Sequence, residues 1–366
     1  MLTRALPLVL LAALGIAACG GNDNSSGASG ASGSSGSGAK PSKVAVLLPD
    51  TQSSVRYEEF DRPLLTKAFN AAGVPVQVSN AQGDTQAQRT QADQAMTNGA
   101  KVLLLDALDS GTGAAIEADA DSKGVKVIDY DRLVLNGTAD YYVSFDNTEV
   151  GRLQGQGLVA CLGSKSGGVP IAMLNGSPTD NNATLFKQGA HEILDPKFKD
   201  GTYKKVAEQA VPDWDNQQAL TIFEQMLQKT NNKIDGLLAA NDGLANAAIS
   251  ALKARRLPQI PITGQDATLQ GIQNIVTGDQ CMTVYKPIQQ EVDAAAKLAT
   301  ALAKGQTPTG VTAATDNGAK KVPSILLRPI SDTKANIKRY FGRADFPAQA
   351  QVCAGKVAAA CTAAGL

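Results

Sequence analysis

Six short stretches of the chain place planar, multiply hydrogen-bonding side chains directly after apolar runs. Arg56 and Tyr57 follow the run that begins near Val44, and Asp131 and Arg132 follow Tyr130. Asn175, Asp180 and Asn182 come after Leu174, Asn241 and Asp242 after Ala239, Gln265 and Asp266 after Thr263, and Lys286 after Tyr285. Carboxylates accept hydrogen bonds from hydroxyls, Arg and Lys donate them, and Asn does both. Such a set, near charge balance, suits an uncharged polyol whose hydroxyls each donate and accept. Trp214, the one tryptophan, follows the run ending at Val211 and offers a flat face for apolar C–H groups. A phosphate site would need a glycine-rich loop or a basic excess, and the sequence has neither.

Each of these residues also has a plainer role open to it. An Asp at a strand end often only caps a helix, and Asp242 is read that way. An isolated Arg or Lys is usually a solvated charge, and a single Trp is more often core. The convergence of many such residues at strand ends favours a binding site. Catalysis finds less support: His191 is the only histidine and sits in an amphipathic pattern, and GxSxG, P-loop and HExxH motifs are absent. A glycosidase pairing of Asp131 with Asp180 stays open as an alternative. No CxxC or His/Cys cluster points to a metal, and no cofactor is expected. With 34 basic and 34 acidic side chains, nothing marks a nucleic-acid partner.

The elements that must position these side chains alternate β and α. Strands are expected at 43–48, 74–78, 102–105, 125–130, 142–145, 169–174, 206–211, 234–239, 260–263 and 282–285, with helical patterns such as 57–72 and 85–98 between most of them. This alternation predicts parallel sheets with helices on both faces. So many strands exceed one comfortable sheet, so two similar α/β lobes are expected, with ligands beyond the carboxyl ends of the strands.

Arg4 and the apolar stretch from Ala5 to Ile16 read as an export signal too short to span a bilayer. Ile16-Ala17-Ala18-Cys19 resembles the lipobox of bacterial lipoproteins, in which the cysteine is lipidated. The 22 residues from Gly20 to Pro41 are nearly all Gly, Ser, Ala and Asn. Such a segment is a flexible tether with a span of roughly 25 Å. Four further cysteines allow three connectivities: Cys353 and Cys361 are close in sequence and are expected to pair, and Cys161, ending an expected helix, and Cys281, beginning an expected strand, could meet at the bottom of one lobe.

Several runs carry a family resemblance: Arg56-Tyr57, Ile128-Asp129-Tyr130-Asp131-Arg132, Ser144-Phe145-Asp146-Asn147, Gly176-Ser177-Pro178-Thr179-Asp180-Asn181-Asn182-Ala183, Ala240-Asn241-Asp242, Gly264-Gln265-Asp266-Ala267 and Met282-Thr283-Val284-Tyr285-Lys286-Pro287. In order and spacing they resemble the type I, ribose-binding-like substrate-binding proteins of sugar ABC importers, and among these the xylose-binding group. The resemblance runs from about Lys43 to Ile337.

It implies ligand contacts from Arg56, Tyr57, Asp131, Arg132, Asp180, Asn182, Trp214, Asn241, Asp266 and Lys286. Tyr57 stands where the xylose-binding group has a tryptophan, which leaves another aldose open. The implied ligand is a monosaccharide, D-xylose or a related aldose, and the implied partner an ABC permease. A sensor protein is the alternative partner, and a monomer is the family expectation. The resemblance also implies two Rossmann-like lobes joined by three crossings, expected near Asn147, near Lys286 and near 322–324. The expected boundaries are a signal at 1–18, the lipidated Cys19 and tether at 19–42, one lobe at 43–147 plus 287–322, a second at 148–286 plus 323–345, and a disulfide-stapled tail at 346–366.

Overall fold

The computed structural model describes residues 40–366, which form one compact unit. The signal at 1–18, Cys19 and most of the tether lie outside the described residues. Among the described residues no helix is long and apolar enough to cross a membrane.

The chain begins with β1 (Lys43–Leu48), then a wide π-type turn at Tyr57–Asp61 that runs into α1 (Arg62–Ala71). There follow β2 (Val76–Asn80), α2 (Thr85–Thr97), β3 (Ala100–Leu105), α3 (Ser110–Ser122), β4 (Lys126–Tyr130) and β5 (Tyr141–Phe145). The second lobe starts with α4 (Asn147–Leu162) and β6 (Val169–Asn175). It continues with α5 (Asn181–Lys199), β7 (Tyr203–Ala210), α6 (Asn216–Lys229), β8 (Gly236–Ala239), α7 (Asp242–Ala254), α8 (Leu269–Thr277) and β9 (Met282–Tyr285). The chain then supplies α9 (Ile288–Ala303), β10 (Ala313–Asp316) and β11 (Lys321–Leu327) to the first lobe. Last come β12 (Ile330–Thr333) and the short helices α10 (Gln349–Val352) and α11 (Ala358–Ala363).

The first sheet runs β10-β11-β5-β4-β3-β1-β2 and is parallel except for the β10–β11 pair. The pleat of β1 divides the core. Val44, Val46 and Leu48 join the layer under α1 and α9, whereas Ala45 and Leu47 join the layer under α2 and α3. A strand covered on both faces reads as an unbroken apolar run, which is why KVAVLL was legible as a strand. In the second lobe β7-β6-β8 form a parallel set, extended through Ile262 to β9, which pairs antiparallel with β12. Ala172 and Leu174 face α6 and α7, and Ile171 and Met173 face α4 and α5.

Four expectations need correction. The stretch 260–263 makes only an isolated bridge, Leu237 to Ile262, because Pro258 and Pro261 remove ladder donors. Residues 323–327 belong to the first lobe, since β11 pairs with β5. The third crossing is therefore at Arg328 and Pro329, not at 322–324. Pro323 inside β11 hid that strand. The segment after 345 is no separate tail: Phe346, Val352, Val357 and Cys361 are buried with Ile272, Ile275 and Tyr285. Finally, α7 is capped by Asn241, whose side chain accepts from Leu244 N at 2.9 Å, and Asp242 is its buried first residue.

Cysteines 161 and 281 are joined between α4 and the start of β9, and cysteines 353 and 361 within the C-terminal segment. That segment clasps the second crossing. Asp345 is buried and accepts from Tyr285 Oη at 2.8 Å and from the Gln289 backbone N–H at 2.9 Å. It thus ties the end of β9 to the first turn of α9. Asp345→Ala leaves both donors unpaired and is expected to cost about 2–3 kcal/mol, read as a lower urea midpoint with an unchanged slope.

Candidate binding site

The structure brings all ten sequence-derived residues to one cavity between the lobes: Arg56, Tyr57, Asp131, Arg132, Asp180, Asn182, Trp214, Asn241, Asp266 and Lys286. Ser53, Ser54, Phe186 and Gln265 complete its wall. The space left among them is small, about 20 Å³, close to that of a single water. The polar groups therefore pair largely with one another.

Arg56 is the hub on the first lobe. Its Nε and Nη2 donate to Asp61 at 2.9 and 2.7 Å, Nη2 also to Glu291 at 2.6 Å, and Nη1 to Asp131 at 3.1 Å. Tyr130 Oη donates to Asp61 as well. Asp131 further accepts from Tyr57 Oη at 3.1 Å, and Lys286 Nζ lies 3.6 Å away. Burial would raise the Asp131 carboxyl, but Lys286, Arg56 and Arg132 overcome it and hold the group well below the usual carboxylate range. Arg132 donates to Ser53 Oγ at 3.0 Å and stands 3.5 Å from Asp106 and 3.4 Å from Asp180. The Arg56 and Arg132 guanidiniums lie over the Tyr57 ring, 5.4 and 5.7 Å from its centroid. The part of Tyr57 that faces the polar network is accordingly its hydroxyl.

The second lobe answers with acceptors and amides. Asp180 caps α5 through Asn182 N at 2.9 Å and accepts from Trp214 Nε1 at 3.0 Å. Asn182 Nδ2 reaches across to the Asp131 carbonyl at 3.0 Å, and Asn241 Nδ2 to the Ser53 carbonyl at 2.9 Å. Ser54 Oγ donates to Asp266 at 3.1 Å, and Lys286 Nζ is 3.4 Å from the other Asp266 oxygen. That oxygen, Asp266 Oδ1, and Gln265 Oε1 are buried acceptors with no hydrogen-bond partner among the described residues. Both are open demands for a donor.

Asp131, Trp214 and Asp266 have positive φ, at 59°, 55° and 94°. Left-handed backbone at non-glycine residues costs about 1–3 kcal/mol each and gathers at functional sites. Gly176 makes the Trp214 position possible, since a Cβ there would meet the indole ring at 2.0 Å. Gly176→Ala is therefore expected to push the ring from the cavity wall. Because Trp214 is the only tryptophan, the change would appear as red-shifted emission and lost near-UV dichroism.

Sequence reasoning missed Asp61, Asp106 and Glu291, which stand behind the cavity. With them, six carboxyls (Asp61, Asp106, Asp131, Asp180, Asp266 and Glu291) share three cations (Arg56, Arg132 and Lys286). Burial pushes Asp106 well up, and burial with too few cations pushes Glu291 up to about 8. Glu291 lies five residues past Lys286, in the first turn of α9. Asp61 is similarly placed after Arg56, and neither spacing by itself distinguishes a buried ion partner from a solvated helix face.

Known proteins with this architecture place the cavity in context. The profile of the periplasmic binding protein domain matches residues 44–307. A D-xylose-binding periplasmic protein of Escherichia coli K12 is 38% identical over 301 residues, spanning 82% of this chain and 89% of its own. A carbohydrate-transporter solute-binding protein from Chloroflexus aurantiacus, solved with D-glucose, superposes with a TM-score of 0.76 at 30% identity, covering 83% of this chain and 98% of its own. An ABC-transporter solute-binding protein from Clostridium phytofermentans with bound β-D-glucose gives 0.78 at 28% identity, over 85% and 99%. The matched span takes in both lobes and every cavity residue from Ser53 to Lys286, and the chain belongs to the periplasmic binding protein family, with its type I fold.

Proposed function

We propose that the protein is the receptor of a sugar ABC importer, capturing a monosaccharide between its lobes and handing it to a membrane permease. The observation that carries this reading is the cavity itself, where buried donors and acceptors from both lobes converge around two acceptors that lack a hydrogen bond among the described residues, Asp266 Oδ1 and Gln265 Oε1. Sugar hydroxyls would supply the missing donors. The charged pairs at 3.4–3.6 Å, Lys286 with Asp131 and Asp266 and Arg132 with Asp180, stand just beyond hydrogen-bond length. A hydroxyl inserted between such partners would bond to both. Arg56, Arg132, Lys286 and Asn182 would donate, Asp131, Asp180 and Asp266 would accept, and Asn241 would do either. Trp214 and Phe186 would cover the C–H face.

Sugar bridging the lobes favours the closed arrangement over an open one, so binding shifts the population toward closure. A wrong epimer leaves a buried group unpaired, which is the source of specificity. D-xylose is the leading ligand, because a relative named for it is 38% identical, whereas the two structural neighbours were solved with D-glucose. A receptor rather than a catalyst is favoured because Asp131 and Asp180 each accept hydrogen bonds on both oxygens, from Arg56 and Tyr57 and from Asn182 N and Trp214, which leaves neither placed as the proton donor a glycosidase pair needs. Lipidation of Cys19 would tether the receptor at the outer face of the membrane, where it would work as a monomer.

Trp214 in the cavity wall supplies the test. A saturable change in its emission is expected on adding D-xylose. Emission that stays constant across a series of aldoses would count against a monosaccharide site.

A further inference from the structure

We propose that the cleft holds a second subsite, continuous with the first, that accepts a second uncharged sugar residue linked to the one in the inner cavity. The proposal rests on the monosaccharide reading above and extends it to disaccharides. Beside the inner cavity lies an outer chamber of about 270 Å³, near the lower end of the roughly 300–1,000 Å³ typical of small-molecule sites. Ser53, Ser54, Asn241 and Asp266 line both spaces. Among these four residues two hydrogen bonds join the lobes: Ser54 Oγ to Asp266 at 3.1 Å and Asn241 Nδ2 to the Ser53 carbonyl at 2.9 Å. A glycosidic oxygen and its substituent could pass where these side chains meet.

The chemistry of the chamber differs from that of the inner cavity. Among the described residues Glu59 and Asp266 are the charged members of its lining, and amides from both lobes are its largest group. Gln52 comes from the first lobe, and Asn246, Gln270 and Gln273 from helices of the second. Amides donate and accept in one plane, which suits neighbouring hydroxyls on an uncharged ring. Gln270 is held by Asn274 at 2.9 Å, and Gln273 by the Gln351 and Val352 carbonyls at 3.2 Å, so these side chains are preorganised. Leu269 and the exposed Val55 add apolar surface for a C–H face. The opposite mouth, which Asp213 also lines, is larger, about 550 Å³, but Asp50, Asp109, Asp180 and Asp215 in its lining already accept from backbone N–H groups, which leaves fewer acceptors for an uncharged residue.

Calorimetric titration of the full chain with xylose and glucose and with their α- and β-linked disaccharides tests this, together with Asn246→Ala and Gln270→Ala. One disaccharide is expected to bind within about tenfold of its monosaccharide. Each substitution is expected to weaken that disaccharide roughly fivefold, the worth of one hydrogen bond, and to leave the monosaccharide unchanged. Monosaccharide binding without disaccharide binding overturns the subsite alone. So does disaccharide binding that ignores both substitutions but falls in Asp213→Asn. If no sugar binds, the monosaccharide reading falls and the subsite falls with it.

Discussion

Asp131→Asn is expected to weaken monosaccharide binding about a hundredfold while leaving the fold intact. Asp131 faces Arg56, Tyr57 and Lys286 at once. Truncating the charge of a buried, hydrogen-bonded ion partner typically costs about 2–5 kcal/mol, with each 1.4 kcal/mol worth a factor of ten. An amide keeps the shape but removes the negative charge that Arg56 and Lys286 face at Oδ1 and replaces the acceptor that Tyr57 Oη donates to. The backbone role of the residue persists, because its carbonyl still accepts from Ser144 Oγ at 2.6 Å and Asn182 Nδ2 at 3.0 Å. Calorimetry gives the affinity, and denaturant unfolding checks that the variant is folded. An affinity within about twofold of the parent would show that the Asp131 charge does not touch the ligand.

Glu291→Gln should remove a fall in stability between about pH 5 and pH 8. Burial, opposed by Arg56 and reinforced by Asp131 and Asp61, raises the carboxyl from 4.5 to about 8. In that window the folded protein holds a proton that the unfolded chain has lost, so stability decreases as pH rises, by about 1.4 kcal/mol per unit at most. Over the whole window the change is on the order of 4 kcal/mol. Asp242 and Asp332, each raised to about 7 mainly by burial, slope the same way and would persist in the variant. Urea midpoints measured at pH 5, 6.5 and 8 separate the shares. Parallel pH profiles for the parent and the variant would mean that Glu291 is ionised throughout.

The legible parts of this protein are those where one physical rule acts alone. Doubly covered strands such as β1 and β3 are apolar runs, and polar residues at their carboxyl ends mark the ligand side in any parallel sheet. Arg56, Asp131, Asp180, Asn241, Asp266 and Lys286 were therefore visible as strand-end residues. What stayed hidden depends on contacts distant in sequence. Glu291 meets Arg56 across 235 residues, and within a helix it resembles any solvated acid. The pairing of β11 with β5 begins directly after Pro323, which locally argues against a strand, and β10 and β12 are only four residues each. The C-terminal segment reads as a small, alanine-rich tail until Phe346 and Asp345 are seen against Tyr285. The Tyr57 ring lies beneath two guanidiniums, an arrangement that no spacing rule anticipates.

Calorimetric titration of the protein with D-xylose, D-glucose, L-arabinose, D-ribose and D-galactose tests the central claim most directly. Tight one-site binding of D-xylose is expected, with weaker binding of the others and loss of the signal in Asp131→Asn. Absence of heat with all five sugars, from protein that unfolds cooperatively, would contradict a monosaccharide receptor.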